Sequence, residues 1–223
     1  MRDAYHEDLE GVTDSLVEMT RLVGGAVGRA TQALIDADVQ LADQVIANDD
    51  NVDALRLDIE RRAFDLLARQ QPVASDLRML VTSLRMVSDL ERAGDYAEHV
   101  AGVARRRYPA SAVPASLRPV VLEMGQVAQR IVAKVGGVVA SRDVESAREL
   151  ERDDDVMDDL HEKLFRKILS GGWESGVESA IDVVLIGRYY ERFADHAVSV
   201  ARSVIYLVTG EMPDASNVAN ATA

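Results

Sequence analysis

Apolar residues recur along this chain at alternating steps of three and four, the spacing that turns one face of an α-helix toward a core. Leu9, Val12, Leu16, Met19, Val23, Ala26, Ala30 and Ala33 trace the first such stripe, over about 5–36. Leu41, Val45, Val52, Leu55, Ile59 and Leu66 trace a second, over about 39–69, crossed by the polar run from Asn48 to Asp53 and closed by Pro72. A third helix is predicted over about 76–107, with Ser75 as its N-cap and Arg105, Arg106 and Arg107 at the negative end of its dipole. Pro109, Pro114 and Pro119 mark a linker. Leu117, Val121, Met124, Val127, Ile131, Val135 and Val138 then trace a fourth helix. Asp143 is placed to cap a fifth, over about 144–169, which Gly171 and Gly172 stop. A sixth runs over about 175–209 and ends at Gly210. Gly24-Gly25 and Gly136-Gly137 lie inside helical stretches, where each glycine costs about 1 kcal/mol against alanine. They are read as points where two helices cross closely.

The two halves repeat. A shift of 100 residues sets Glu91, Arg92 and Asp95 on Glu191, Arg192 and Asp195; a shift of 105 sets Asp49, Asp53 and Leu55 on Asp154, Asp158 and Leu160. The loop between the second and third helices is therefore expected to be shorter in the second half. The expected fold is all-α, a tandem repeat of two three-helix bundles: 1–109, then 115–210, with 211–223 a flexible polar tail.

The stripe Leu77, Leu80, Leu84, Val87 leads not to another hydrophobe but to Glu91, with Asp95 one turn on. Val177, Ile181 and Val184 lead in the same way to Glu191 and Asp195. Carboxylates aimed at a core need counter-charge, because isolated buried charge is very costly. Arg92, Arg188 and Arg192 are near, yet none is clearly placed to neutralise a pair, so a metal cation is the simplest expectation. The second helix of each half offers a further pair, Asp49/Asp53 and Asp154/Asp158, which an antiparallel neighbour would set opposite the first. Four hard oxygen donors in one groove suit Mg²⁺, Mn²⁺, Fe or Zn²⁺. The plain alternative is that these acids form solvated faces, since Glu10/Asp14, Glu149/Asp153 and Glu178/Asp182 share the spacing.

Composition narrows the function. A formal charge of −13 disfavours nucleic-acid backbones and anionic membrane surfaces and favours cations or basic protein patches. No cysteine means no disulfide and no thiolate metal site. The polar N-terminus is no signal peptide and no apolar run reaches the roughly 18 residues of a membrane span, so a cytoplasmic protein without direct membrane insertion is expected. Glu-x-x-His, which a ferritin-type di-iron site would show, is absent; Asp158-x-x-His161 is the nearest approach. His6, His99, His161 and His196 do not recur between the halves and are read as surface or rim residues. No phosphate-cradling glycine loop or nucleophile triad stands out.

The stretch from Asp76 to Val100, with Ser88-Asp-Leu-Glu-Arg-Ala-Gly-Asp-Tyr-Ala-Glu-His-Val100 at its centre, resembles the signature segment of the PhoU family, bacterial accessory proteins of phosphate signalling. Tyr190-Glu-Arg-Phe-Ala-Asp-His196 resembles that family's weaker second repeat. The resemblance implies multinuclear metal sites on Glu91/Asp95 and Glu191/Asp195, with Asp49, Asp53, Asp154 and Asp158 on the preceding helices, and frequent dimerisation. It also implies a negative regulator, not an enzyme, that couples the ATPase subunit of the high-affinity phosphate importer to a sensor histidine kinase. Phe193-Ala194 in place of Ala93-Gly94 and Arg188 in place of Ser88 imply a bulkier, more basic second site. A metal-dependent helical phosphohydrolase and a purely structural helical adaptor stand as alternatives.

Overall fold

The computed structural model describes residues 2–211, with side chains from Tyr5 onward. Six helices follow one another: α1 (Arg2–Asp36), α2 (Val39–Gln70), α3 (Ala74–Arg107), α4 (Arg118–Ser141), α5 (Val144–Leu169) and α6 (Gly176–Thr209). The connection expected to be shorter in the second half is the longer one, 170–175 against 71–73, because the shortening falls on the helices: α5 stops sooner after its acidic pair than α2 does. The helix ends follow local chemistry. Asp38 caps α2 by accepting from the Leu41 N–H at 3.0 Å, and Asp143 caps α5 by accepting from the N–H groups of Glu145 and Ser146. Gly210, at φ 77°, closes α6 with its N–H on the Tyr206 carbonyl. Ser75 is not the cap of α3. That helix begins at Ala74 behind Val73, which makes no side-chain cap, and the Ser75 hydroxyl instead lies 3.4 Å from the Asp76 carboxylate. The tail assigned to 211–223 lies, beyond Glu211, outside the described residues.

The first three helices form one bundle and the last three another, and the two share a core. α1 packs on α3 and α4, α6 packs on α3 and α4, and α2 and α5 flank this ring on its outer sides. Burial is near complete for residues from all six helices, among them Leu16, Ile59, Leu90, Ile131, Leu150 and Phe193. The proline linker belongs to that core: Ala112, Val113 and Leu117 are buried.

Glycine and threonine set the approach of α1 to α4. A Cβ on Gly24 would lie 3.1 Å from Val132 Cγ1, so Gly24 marks a close crossing, as expected, whereas Gly25 meets only Arg29 of its own helix and Gly137 has nothing within 4 Å. Thr20 seats against Gly136 and Thr31 against Gly125, and the flexible end of Gln129 lies over Gly28. The shift of 105 residues turns one threonine contact into the other, so the halves are related by an approximate two-fold axis and α1 and α4 run antiparallel. Thr31 also reaches across the ring to the Tyr190 hydroxyl at 2.7 Å, pairing the largest buried polar side chain of α6.

Arg107 does more than end α3. It pairs with the buried Asp182 and, at 2.6 Å, with Glu178, tying the end of the first bundle to the start of α6. Removing one partner of a buried pair leaves the other charge uncompensated. Arg107→Ala is therefore expected to lower the melting temperature more than Arg106→Ala at the neighbouring exposed position. Equal shifts in the two variants would reduce Arg107 to a helix-end charge.

Candidate functional site

The helices that carry the acidic pairs have two adjacent rows facing their neighbours. On α3 the inner row, Leu80, Val87, Leu90 and Ala97, is buried. Leu77 and Val81 are exposed and Leu84 is half-buried, and Glu91 and Asp95 extend this outer row. α6 repeats the plan: Val183, Ile186, Tyr190 and Ala197 are buried, while Val177 and Ile181 are exposed ahead of Glu191 and Asp195. The stripe traced from sequence mixed the two rows. The acids consequently do not enter the core; they line half-buried grooves between α2 and α3 and between α5 and α6.

In the first groove Asp49 and Asp53 of α2 meet Glu91 and Asp95 of α3, with Glu98 nearby. Gly94 makes room: a Cβ there would lie 3.3 Å from both Asp49 Oδ1 and Val52 Cγ1. Partial burial, then the crowd of Glu98, Asp95, Asp53 and Glu91, pushes the Asp49 carboxyl up to about 6. Burial and Asp95 also raise Glu91, against the pull of Arg92 and Arg56. Arg92 sits 3.1 Å from Asp95, and Arg56 bonds Glu60 at 3.0 Å with its Nε 3.8 Å from Asp53.

The second groove joins Asp154 and Asp158 of α5 to Glu191 and Asp195 of α6. Burial and then Asp195 and Asp158 push Asp154 up to about 7; burial and then Glu191 push Asp195 to about 6. Glu191 is raised by burial against Arg188 and Arg192. Asp158, nearer the rim, is raised by partial desolvation against the pull of His161. Arg188 Nη1 reaches both oxygens of Glu191 at 2.7 Å, and Arg192 lies 3.3 Å from Asp195. Burial and Arg188 hold the His161 imidazole below its ordinary range, and its Nε2 is buried without a hydrogen-bond partner.

Both grooves thus contain the counter-charge that the sequence left unplaced, and they exchange its origin. The shift of 100 sets Ser88 on Arg188, and the shift of 105 sets Arg56 on His161. One guanidinium comes from α2 in the first groove and from α6 in the second. Among the described residues no three acids or imidazoles converge at ligating spacing in this side-chain arrangement. The eight expected ligands are nonetheless brought together four by four. Burial first, and the neighbouring acids after it, raise these carboxyls despite the arginines beside them. Such hard, crowded oxygen donors fit a divalent or trivalent cation.

Between the grooves, α3 and α6 meet along a seam that sequence reasoning missed. Asp89 holds His196 Nδ1 at 3.0 Å and accepts from the Ser199 hydroxyl at 2.7 Å. His196 is therefore a seam residue and not a free rim histidine. Across the two-fold axis Tyr189 packs on Tyr96 and His99, with ring centroids 6.2 and 5.1 Å apart. Tyr96 also stacks on His196 at 5.8 Å and accepts a hydrogen bond from Arg192. Comparing the halves hid Asp89, because it aligns with Tyr189; the contact pairs it with a residue from the other copy.

The PhoU domain model matches residues 16–104 and again 121–204. Phosphate-specific transport system accessory protein PhoU homolog 2 of Mycobacterium tuberculosis is 48% identical over 213 residues, covering 96% of this chain and 100% of that protein. The PhoU homolog of Aquifex aeolicus is 36% identical over 92% of this chain and 93% of its own length. Among solved structures, PhoU of Pseudomonas aeruginosa superposes with a TM-score of 0.84 at 32% identity, over 93% of this chain and 100% of that one. The PhoU structure from Streptococcus pneumoniae, at 23% identity and a TM-score of 0.79, shares the fold over 94% of this chain and 99% of its own. With both repeats matched and the likeness spanning nearly the whole length, the chain belongs to the PhoU family.

Proposed function

We propose that this chain is a cytoplasmic, non-enzymatic regulator of phosphate transport. It holds down phosphate uptake and the phosphate starvation response by coupling the importer's ATPase subunit to a sensor histidine kinase. Homodimerisation belongs to the same reading. Its main support is membership across both repeats of a family whose relatives are named accessory proteins of phosphate-specific transport. No helix among the described residues is long and apolar enough to cross a membrane, which agrees with action on partners and not as a channel.

In this reading each groove takes a cation. Glu91, Asp95, Asp49 and Asp53 would hold it in the first groove, and Glu191, Asp195, Asp154 and Asp158 in the second, drawing their carboxylates away from the arginines. The ion braces two helices of one bundle. At 100 times its dissociation constant, a ligand that binds only the folded state stabilises it by about 3 kcal/mol. Chelation is therefore expected to lower the melting temperature of the purified protein, and Glu91→Ala with Asp95→Ala to remove the first groove's share. Elemental analysis decides between this and a structural adaptor whose acids are neutralised internally, a reading that Arg188 on Glu191 favours for the second groove. Metal content unchanged in the double variant would refute the first site. Capture of the importer's ATPase by the intact protein tests the regulatory part separately.

A further inference from the structure

We infer that the outer rows of α3 and α6 form a paired docking surface for a two-fold-symmetric protein, each half of which offers an apolar side chain followed by a basic one. Phe64, Leu77 and Val81 are 59%, 42% and 38% exposed at one end of the first groove; Leu169, Val177 and Ile181 are 78%, 78% and 55% exposed at the equivalent end of the second, which the antiparallel α3 and α6 place at the opposite end of the molecule. The register that sets Asp49 against Gly94 carries Phe64 to the level of Leu77 and Val81.

Scattered surface hydrophobes are ordinary and need no explanation. These are not scattered. The shift of 105 sets Phe64 on Leu169, and the shift of 100 sets Leu77 on Val177 and Val81 on Ile181. Nearby positions have diverged freely, with Ser88 against Arg188 and Asp89 against Tyr189. None of these positions belongs to the shared core or to the partly buried hydrophobics packed on it, so core packing does not by itself keep all three apolar in both copies. A contact made twice does.

Charge and symmetry identify the occupant. Each patch runs along the same helix row into an acidic groove. Ten residues separate Val81 from Glu91 and Ile181 from Glu191, about 15 Å along a helix. The first groove gathers five carboxylates against the guanidiniums of Arg56 and Arg92. A segment that fits is therefore apolar at one end and carries Lys or Arg about 15 Å further on. A second copy of this chain fits poorly, since at −13 it would set acidic groove against acidic groove. The two-fold relation of the patches matches a homodimer that presents one element twice. A cation held by the same carboxylates would compete with the basic side chains, so a probe peptide is tested on metal-free protein and is expected to bind more weakly once metal is added.

The probe is a synthetic helical peptide with two leucines and, about 15 Å along, two lysines, used as a monomer and as a linked dimer with a flexible spacer. Fluorescence anisotropy with the full chain reads its affinity. The dimeric peptide is expected to bind about 100-fold tighter than the monomer. Leu77→Ser with Val81→Ser, or Val177→Ser with Ile181→Ser, is expected to return it to monomer affinity, and all four together to abolish binding. These side chains are exposed, so the thermal melt should persist and a lost melt would call for Leu77→Thr with Val177→Thr instead. Equal binding of a control with glutamates for lysines would overturn the inference. So would no binding to either form, or a dimer of the chain itself in sedimentation velocity that the substitutions dissolve.

Discussion

The metal-free protein is expected to melt at a higher temperature at pH 5 than at pH 8. Asp154 titrates at about 7, and Asp49 and Asp195 at about 6, when folded. In the unfolded chain each returns to about 3.9. A group raised in the folded state contributes stability that is fully present below its unfolded value and is lost as pH rises through the folded one. The window is thus about pH 4 to 7, and each kcal/mol moves the melting temperature by about 2–4 °C in a chain of this size. Asp143 works with the opposite sign. Its carboxyl is held low by the Ser146 hydroxyl and N–H, so its cap weakens as acid protonates it below that window. Asp154→Asn is expected to flatten the slope between pH 5 and 8, since it removes the most strongly raised group. A bound cation should also abolish the gain, because it keeps the carboxylates ionised. A melting temperature that is flat or falls from pH 8 to pH 5 in metal-free buffer would show that the acids are fully neutralised by their arginines.

Gly136→Ala is expected to be among the most damaging single-methyl changes in the molecule. The new Cβ would stand 2.5 Å from Thr20 Oγ1, inside the contact that sets the spacing of α1 and α4. Overpacking of this kind costs about 1–3 kcal/mol, although alanine favours the helix by about 1 kcal/mol over glycine. Thr20→Ala should rescue it. The Thr20 hydroxyl donates to Val17 of its own helix at 2.7 Å, so its loss orphans no distant group. Denaturant melts of the two single variants and the double variant form a cycle whose coupling should be favourable and exceed 0.5 kcal/mol, the scale seen for residues in contact. Additive effects would mean that α1 slides to accommodate the methyl. The equivalent notch gives a contrast. Gly125→Ala presses on Thr31, which holds Val27 and Tyr190, and truncating Thr31 would strand the buried Tyr190 hydroxyl. No simple rescue is expected there.

Much of this arrangement was legible because helices announce themselves by period and by punctuation. Pro72, Asp143 and Gly210 stop or start helices for reasons confined to a few residues. The duplication was legible because two shifts align separate motifs. What the sequence did not yield depends on distances between elements. The acidic row was placed one step too deep, because inner and outer rows of a helix lie within a single turn of each other and only the neighbouring helix decides which is covered. Arg56 escaped notice because it sits on α2 while its partners include acids of its own helix and of α3. Asp89 with His196 and Arg107 with Asp182 pair residues 107 and 75 positions apart, and no local pattern marks either.

The seam between α3 and α6 has the geometry that two identical half-length chains would make by associating. In such an ancestor every change would appear on both sides of the axis at once, so an aspartate at position 89 would also replace its counterpart Tyr189. Joining the halves through a buried connector makes their association unimolecular, independent of how dilute the protein is. It also lets one side become the ionic Asp89–His196–Ser199 junction while the other becomes the ring stack of Tyr189, Tyr96 and His99. Fusion thus allows the two ends of this molecule to specialise without either giving up the mate it folds against.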